Sequence, residues 1–128
     1  MKITIPISVG ELIDKITILE IKSLLVNNEY IERELNELYK LRSTITQYIL
    51  DCEIKLKKVN EILWKIEDKI RQKEKNEEFD EEFIELARSV YINNDKRSEI
   101  KKQINERTNS EYREVKFYEK YAIMSSNL

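Results

Sequence analysis

Beyond Gly10 the chain contains no glycine and no proline: Pro6 and Gly10 are the single examples of each, and residues 11–128 have neither. Sheets and hairpin turns normally use such residues to reach special backbone angles. Their absence argues against a β fold and leaves the turns to Asn, Asp and Ser. Histidine is absent too, which removes the usual acid–base residue and the commonest metal ligand. Cys52 is the one cysteine, so it has no internal disulfide partner and nothing points to an oxidising compartment. No Gly-rich loop is present to cradle a phosphate, and no apolar run approaches a membrane span. The opening MKITIPISVGEL lacks the apolar core and small-residue cleavage site of a signal peptide, so the expected location is cytoplasmic.

Charge of one sign is also missing. Lys and Arg number 23 against 25 Asp and Glu, with the signs interspersed. Without a basic stripe, nucleic acid is not an expected partner. The densest basic group, Lys55, Lys57 and Lys58, shares its helix with Glu53 and Glu61 and reads as a solvated face.

The remaining material suits long amphipathic helices in one domain. Charged residues make up 38% and apolar ones 41%, a balance that fits buried stripes on otherwise solvated helices. Residues 1–8 form an extended opening in which Ile3, Ile5 and Ile7 share one side. Such a segment must pack on helices or pair with a second copy of itself. Ser8 and Glu11 form a capping box that opens a helix over 9–26. Its apolar residues, Leu12, Ile13, Ile16 and Leu19, then Ile18, Ile21 and Leu25, cover a face wide enough for contacts on two sides. Asn27 and Asn28 end it.

Two interleaved series of residues seven apart follow. Ile31, Leu38, Ile45, Cys52, Val59 and Ile66 form one; Leu35, Arg42, Ile49, Leu56, Leu63 and Ile70 form the other. Offsets of four and three are the seam of a coiled coil. They predict a helix over 30–75, roughly 68 Å long at 1.5 Å per residue if unbroken. Ser43-Thr44 is the weak point, where Thr44 and Gln47 could cap a new helix. Lys73–Glu78 reads as a connection. Asp80 caps a last helix over 80–121, with Phe79 and Ile84 as a hydrophobic staple. The tail from Met124 is expected to fray.

Folded back near Glu78, residues whose numbers sum to about 156 become neighbours. Cys52 meets Ile104, Val59 meets Arg97, and Arg42, the charged member of the seam, meets Glu114. The expected fold is all-α: an antiparallel coiled-coil-like hairpin with a shorter N-terminal helix, in a three- or four-helix bundle.

Little here suggests chemistry. Cys52 lies among Ile and Leu and reads as an inert core thiol. Glu81-Glu82-x-x-Glu85 resembles the first half of the metal motif of all-helical nucleotide pyrophosphohydrolases. The Glu-x-x-Asp half is missing, and Glu111-x-x-Glu114 lies too far along the same helix to replace it. Acids are favoured at a helix start in any case. No catalytic residue, metal site or cofactor is therefore expected. The candidate binding cluster is Asn60, Trp64, Glu67, Asp68 and Arg71 on one helix with Arg88, Tyr91, Asn94, Asp95 and Arg97 on the other. It reads either as a buried polar layer that fixes register or as a ligand or partner site, since Trp, Tyr and Arg anchor binding surfaces.

Three blocks carry a family resemblance: Ser8 to Lys22 (SVGELIDKITILEIK), Asn60 to Arg71 (NxxLWxIEDxIR) and Leu86 to Arg97 (LARxVYxxNDxR). In this order they resemble a family of small bacterial proteins catalogued as a domain of unknown function. The resemblance implies no activity. It implies a genomic setting near glycosyltransferase or surface-polysaccharide genes. It is least regular from Arg42 to Leu56, which keeps a helix break open.

The function expected is a non-enzymatic scaffold or adaptor, self-associating as a homodimer, with a glycosyltransferase as a candidate client and no membrane insertion. The alternative is a small-ligand or nucleotide-binding enzyme using the polar cluster. Two helices alone at the hairpin end would leave apolar groups wet, which a second copy would cover. A break at Ser43-Thr44 would instead let the first two helices fold onto that end and give a monomer.

Overall fold

A computed structural model describes residues 1–118. Four helices, α1 (Val9–Leu25), α2 (Glu29–Arg42), α3 (Leu50–Lys75) and α4 (Glu81–Thr108), make up 72% of the described residues, among which there is no strand. The all-α bundle read from the sequence is the fold. α1 opens at Ser8, whose hydroxyl accepts the Glu11 amide at 3.1 Å. α2 opens at Asn28 and α4 at Asp80, whose carboxylate accepts the Phe83 amide at 3.0 Å. Phe79 packs edge-on against Phe83, with ring centroids 5.3 Å apart.

The long helix is broken. Between α2 and α3, residues 43–49 leave the helical path. The Ser43 and Thr44 hydroxyls donate to the Lys40 and Leu41 carbonyls, each at 2.6 Å. They thereby satisfy backbone acceptors that the next helical turn would otherwise have taken. Neither Thr44 nor Gln47 caps the new helix; Ile49 stands at the N-cap without a side-chain bond. The break corrects the register expected for Arg42. Its guanidinium turns back onto the first turn of α3 and grips Glu53 through Nε at 3.0 Å and Nη2 at 2.6 Å. Glu114 lies elsewhere, against Lys101 and Lys116.

α3 and α4 form the antiparallel hairpin in the expected register. The Cys52 thiol donates to Gln103 Oε1 at 3.8 Å, and Arg107 meets Asp51 at 2.5 Å. α1 lies between this hairpin and α2, and Arg42 at the end of α2 pairs with Glu53 of α3. The core therefore forms around α1. Leu12, Ile13, Ile16 and Leu19 pack with Leu35 of α2, with Ile49, Cys52, Leu56 and Val59, and with Ile100 and Ile104 of α4.

Two further expectations are corrected. The last helix ends at Thr108 rather than 121, because Asn109 adopts the left-handed conformation (φ 50°, ψ 51°) and the Ser110 amide bonds back to the Asn105 carbonyl. Residues 111–118 then run back along α4. The opening segment does not pack down on the helices: Ile3 and Ile5 are exposed, and only Ile7 reaches the core. The tail from Met124 lies outside the described residues.

Candidate functional site

The polar centre of the molecule is Asp14. It sits on the flank of the apolar face of α1, and because α1 is covered on two sides this flank is buried along with the rest. Asp14 has no exposed surface. Burying a carboxylate costs several kcal/mol unless charge and hydrogen bonds answer it, and here they do. Arg97 of α4 approaches with two nitrogens, Nε at 2.9 Å from Oδ1 and Nη2 on Oδ2. Asn60 Nδ2 of α3 donates to Asp14 Oδ1 at 3.0 Å and to Thr17 Oγ1 at 2.8 Å. The Thr17 hydroxyl donates to the Asp14 carbonyl. One carboxylate thus joins three helices. The bond to Asp14 holds the Arg97 pKa above its ordinary value, against the opposing effect of burial.

A close backbone approach fixes where α1 crosses α4. The Gly10 amide donates to Asn105 Oδ1 at 2.7 Å, and the Val9 amide to Ser110 Oγ at 3.1 Å. A Cβ at position 10 would stand 2.7 Å from the Lys101 carbonyl oxygen. The single glycine is therefore placed where two helix backbones meet without room for a side chain.

Beside this crossing lies an open cleft of about 260 Å³. Asn94, Arg97, Ser98 and Lys101 of α4 form its floor, and Glu11, Glu114 and Lys116 its walls. Lys101 is the unusual member. Its side chain is only 11% exposed, and its ammonium stands 2.7 Å from Glu11, 3.4 Å from Glu114 and 4.0 Å from Asp14. Burial pulls its pKa down, but the bond to Glu11 and the surrounding carboxylates outweigh that, and the pKa is raised. Lys116 meets Glu114 at 2.8 Å.

The ten residues read from the sequence do not form one constellation. Asn60 and Arg97 enter the Asp14 network, and Asn94 accepts from Arg97 Nη1 at 3.4 Å while facing the cleft. Asp95 accepts the Tyr118 hydroxyl at 2.7 Å. Glu67 and Arg71 pair with each other at 2.9 Å on the surface. Arg88 pairs with Glu85 and bonds Tyr91, which holds its pKa up. Asp68 is exposed and Trp64 half-buried along the hairpin. Glu81 and Glu82 stand exposed at the start of α4, Glu82 within 3.4 Å of Lys73. Among the described residues no group of three carboxylates or thiols is placed to hold a metal ion.

Asp14, Thr17, Gly10, Lys101 and Glu114 were missed by the sequence reading. Their signal was faint: Asp14 and Thr17 are polar residues on a helix whose apolar face is too wide for one-sided burial. Only the direction of the α1 crossing brings them to Asn60 and Arg97.

Comparison with known proteins gives a family and nothing more. The model of a family of unknown function (DUF6165) matches residues 1–127. No curated protein and no solved structure matches the chain. Among the described residues no helix is long and apolar enough to cross a membrane.

Proposed function

Since the chain belongs to the DUF6165 family, whose description gives no activity, we propose its role from its own geometry: a non-enzymatic helical scaffold that self-associates through the free end of the α3–α4 hairpin. The observation that carries this reading is a gap in burial. From Glu67 to Ile92 no residue is buried. The break at Ser43 folds α2 onto α1 and not onto the hairpin end, so α1 and α2 leave that end uncovered.

The surface left open there includes apolar groups: Ile62 of α3, Phe79 in the turn, and Ile84 and Tyr91 of α4 are all at least 40% exposed, and exposed apolar groups gathered in one patch mark an interface. A second copy covers these groups: under two-fold symmetry α3 of one copy lies on α4 of the other, and a four-helix bundle closes. The genomic setting implied by the resemblance makes a cytoplasmic glycan-assembly enzyme, such as a glycosyltransferase, the client for such an adaptor.

Sedimentation equilibrium at micromolar concentration tests the dimer. The expected species has twice the 15.5 kDa chain mass, and the double variant Ile62→Lys, Ile84→Lys halves it without loss of helix content. A wild-type chain that sediments as a single copy would remove the proposal.

A further inference from the structure

The cleft beside α4 holds an unusual occupant: a carboxylate from the chain itself. Glu114 belongs to residues 111–118, which run back along α4 after the Asn109 cap. Side-chain contacts among the described residues tie this segment to α4 and its C-cap: Glu114 to Lys101 at 3.4 Å, Tyr118 to Asp95 at 2.7 Å, and Arg113 to Asn109 Oδ1 at 3.2 Å. Little apolar burial supports them: Val115 and Phe117 are almost fully exposed, and Tyr112 and Tyr118 are about half exposed. The segment is thus held by polar bonds at the surface, which water and other anions can replace.

Lys101, by contrast, is built in. Its stem is buried on α4 beneath the cleft, and its ammonium is fixed by Glu11 and by the buried Asp14 behind it. If the segment swings away, Lys101 remains at the cleft with the Arg97 guanidinium, facing Glu11 as the acid left in the described lining. Asn94 and Ser98 add an amide and a hydroxyl donor on successive turns of α4. The space, about 260 Å³, admits a small molecule.

We propose that this cleft is a binding site for a small oxyanion, the carboxylate or phosphate head of a metabolite, and that Glu114 is its internal occupant, displaced when the ligand binds. The segment 111–118 is then a latch: ligand binding frees it, and freeing it assists binding. The fraction of molecules with the latch open sets the apparent affinity.

Amide and side-chain NMR of the full chain, titrated with inorganic phosphate and separately with succinate, tests the site. Saturable shifts are expected at Asn94, Ser98 and Lys101, together with line narrowing from Arg113 to Tyr118 as the latch leaves. The probe that binds more tightly identifies the head group. Glu114→Gln should tighten binding by about tenfold, the order expected if the closed latch masks most molecules. Glu111→Gln, on the same segment but away from the cleft, should leave it unchanged. Ser98→Ala, on α4 in the cleft lining and outside the buried Asp14 network, weakens binding, so loss of fold cannot imitate its effect. The proposal is overturned if neither probe shifts these resonances up to tens of millimolar, or if Glu114→Gln and Glu111→Gln behave alike.

Discussion

Asp14 of α1 and Arg97 of α4 are 83 positions apart in the chain and form a two-pronged ion pair at the point where three helices meet. Asp14 is wholly buried, while Arg97 keeps about a quarter of its side chain in solvent. A pair of this kind is a poor source of net stability but a costly one to break on one side. Asp14→Ala should therefore destabilise the chain by about 3 kcal/mol, read as a lower urea midpoint. The double variant Asp14→Leu, Arg97→Met should recover much of that loss, because Asn60 keeps its bond to Thr17. Equal midpoints for the single and double variants would show that the charge left behind is not the source of the cost.

Gly10→Ala tests the helix crossing. In an open helix the change would gain about 1 kcal/mol in propensity. Here the new Cβ meets the Lys101 carbonyl oxygen at 2.7 Å and Asn105 Oδ1 at 3.0 Å. The backbones must separate, and overpacking of this kind costs about 1–3 kcal/mol. The expected outcome is a lower melting temperature despite the better helix former, checked by circular dichroism at 222 nm.

Cys52 should be chemically silent in the folded chain. It has no exposed surface, and burial pushes its thiol pKa up, against the pull of Arg107. Since the thiolate is the reactive form, labelling with a disulfide-exchange reagent at neutral pH should be slow. Its rate should follow opening of the structure and rise sharply in urea. Rapid stoichiometric labelling of the native chain would contradict the packing of α3.

The latch should open in acid. The Glu114 carboxyl is held below its ordinary value by Lys116 first and by Lys101, against burial, which acts the other way. A carboxylate with a depressed folded-state pKa adds stability that is present above its ordinary value and lost as pH falls through the folded one. The resonances from Arg113 to Tyr118 should therefore narrow as the pH falls below the ordinary carboxylate range. Glu114→Gln should show the narrowed lines already at neutral pH.

The Arg42 result shows where sequence reasoning reached its limit. The seven-residue spacing is intact across Ile45, Ile49 and Cys52, and on that pattern one helix runs through. Local chemistry prevailed, because Ser43 and Thr44 satisfy the preceding carbonyls with their own hydroxyls. Once the chain turned there, the nearest acid to Arg42 became Glu53, eleven residues on. The α3–α4 register was legible because it depends on the seam downstream of the break, and Cys52 beside Gln103 shows it.

The sequence alone determined the helical class, the caps at Ser8 and Asp80 and the pairing of α3 with α4. Each rests on local backbone preference or on a period repeated along the chain, and both can be read in one dimension. Tertiary structure alone decided that α1 lies between α2 and the hairpin, that Gly10 sits against the Lys101 backbone, and that Asp14 and Lys101 rather than a seam residue are the buried charges. It also decided that Glu114 stands in the wall of the cleft against Lys101. These depend on the angle at which α1 crosses α4, and that angle is set by the summed fit of side chains distant in sequence, for which no local pattern exists.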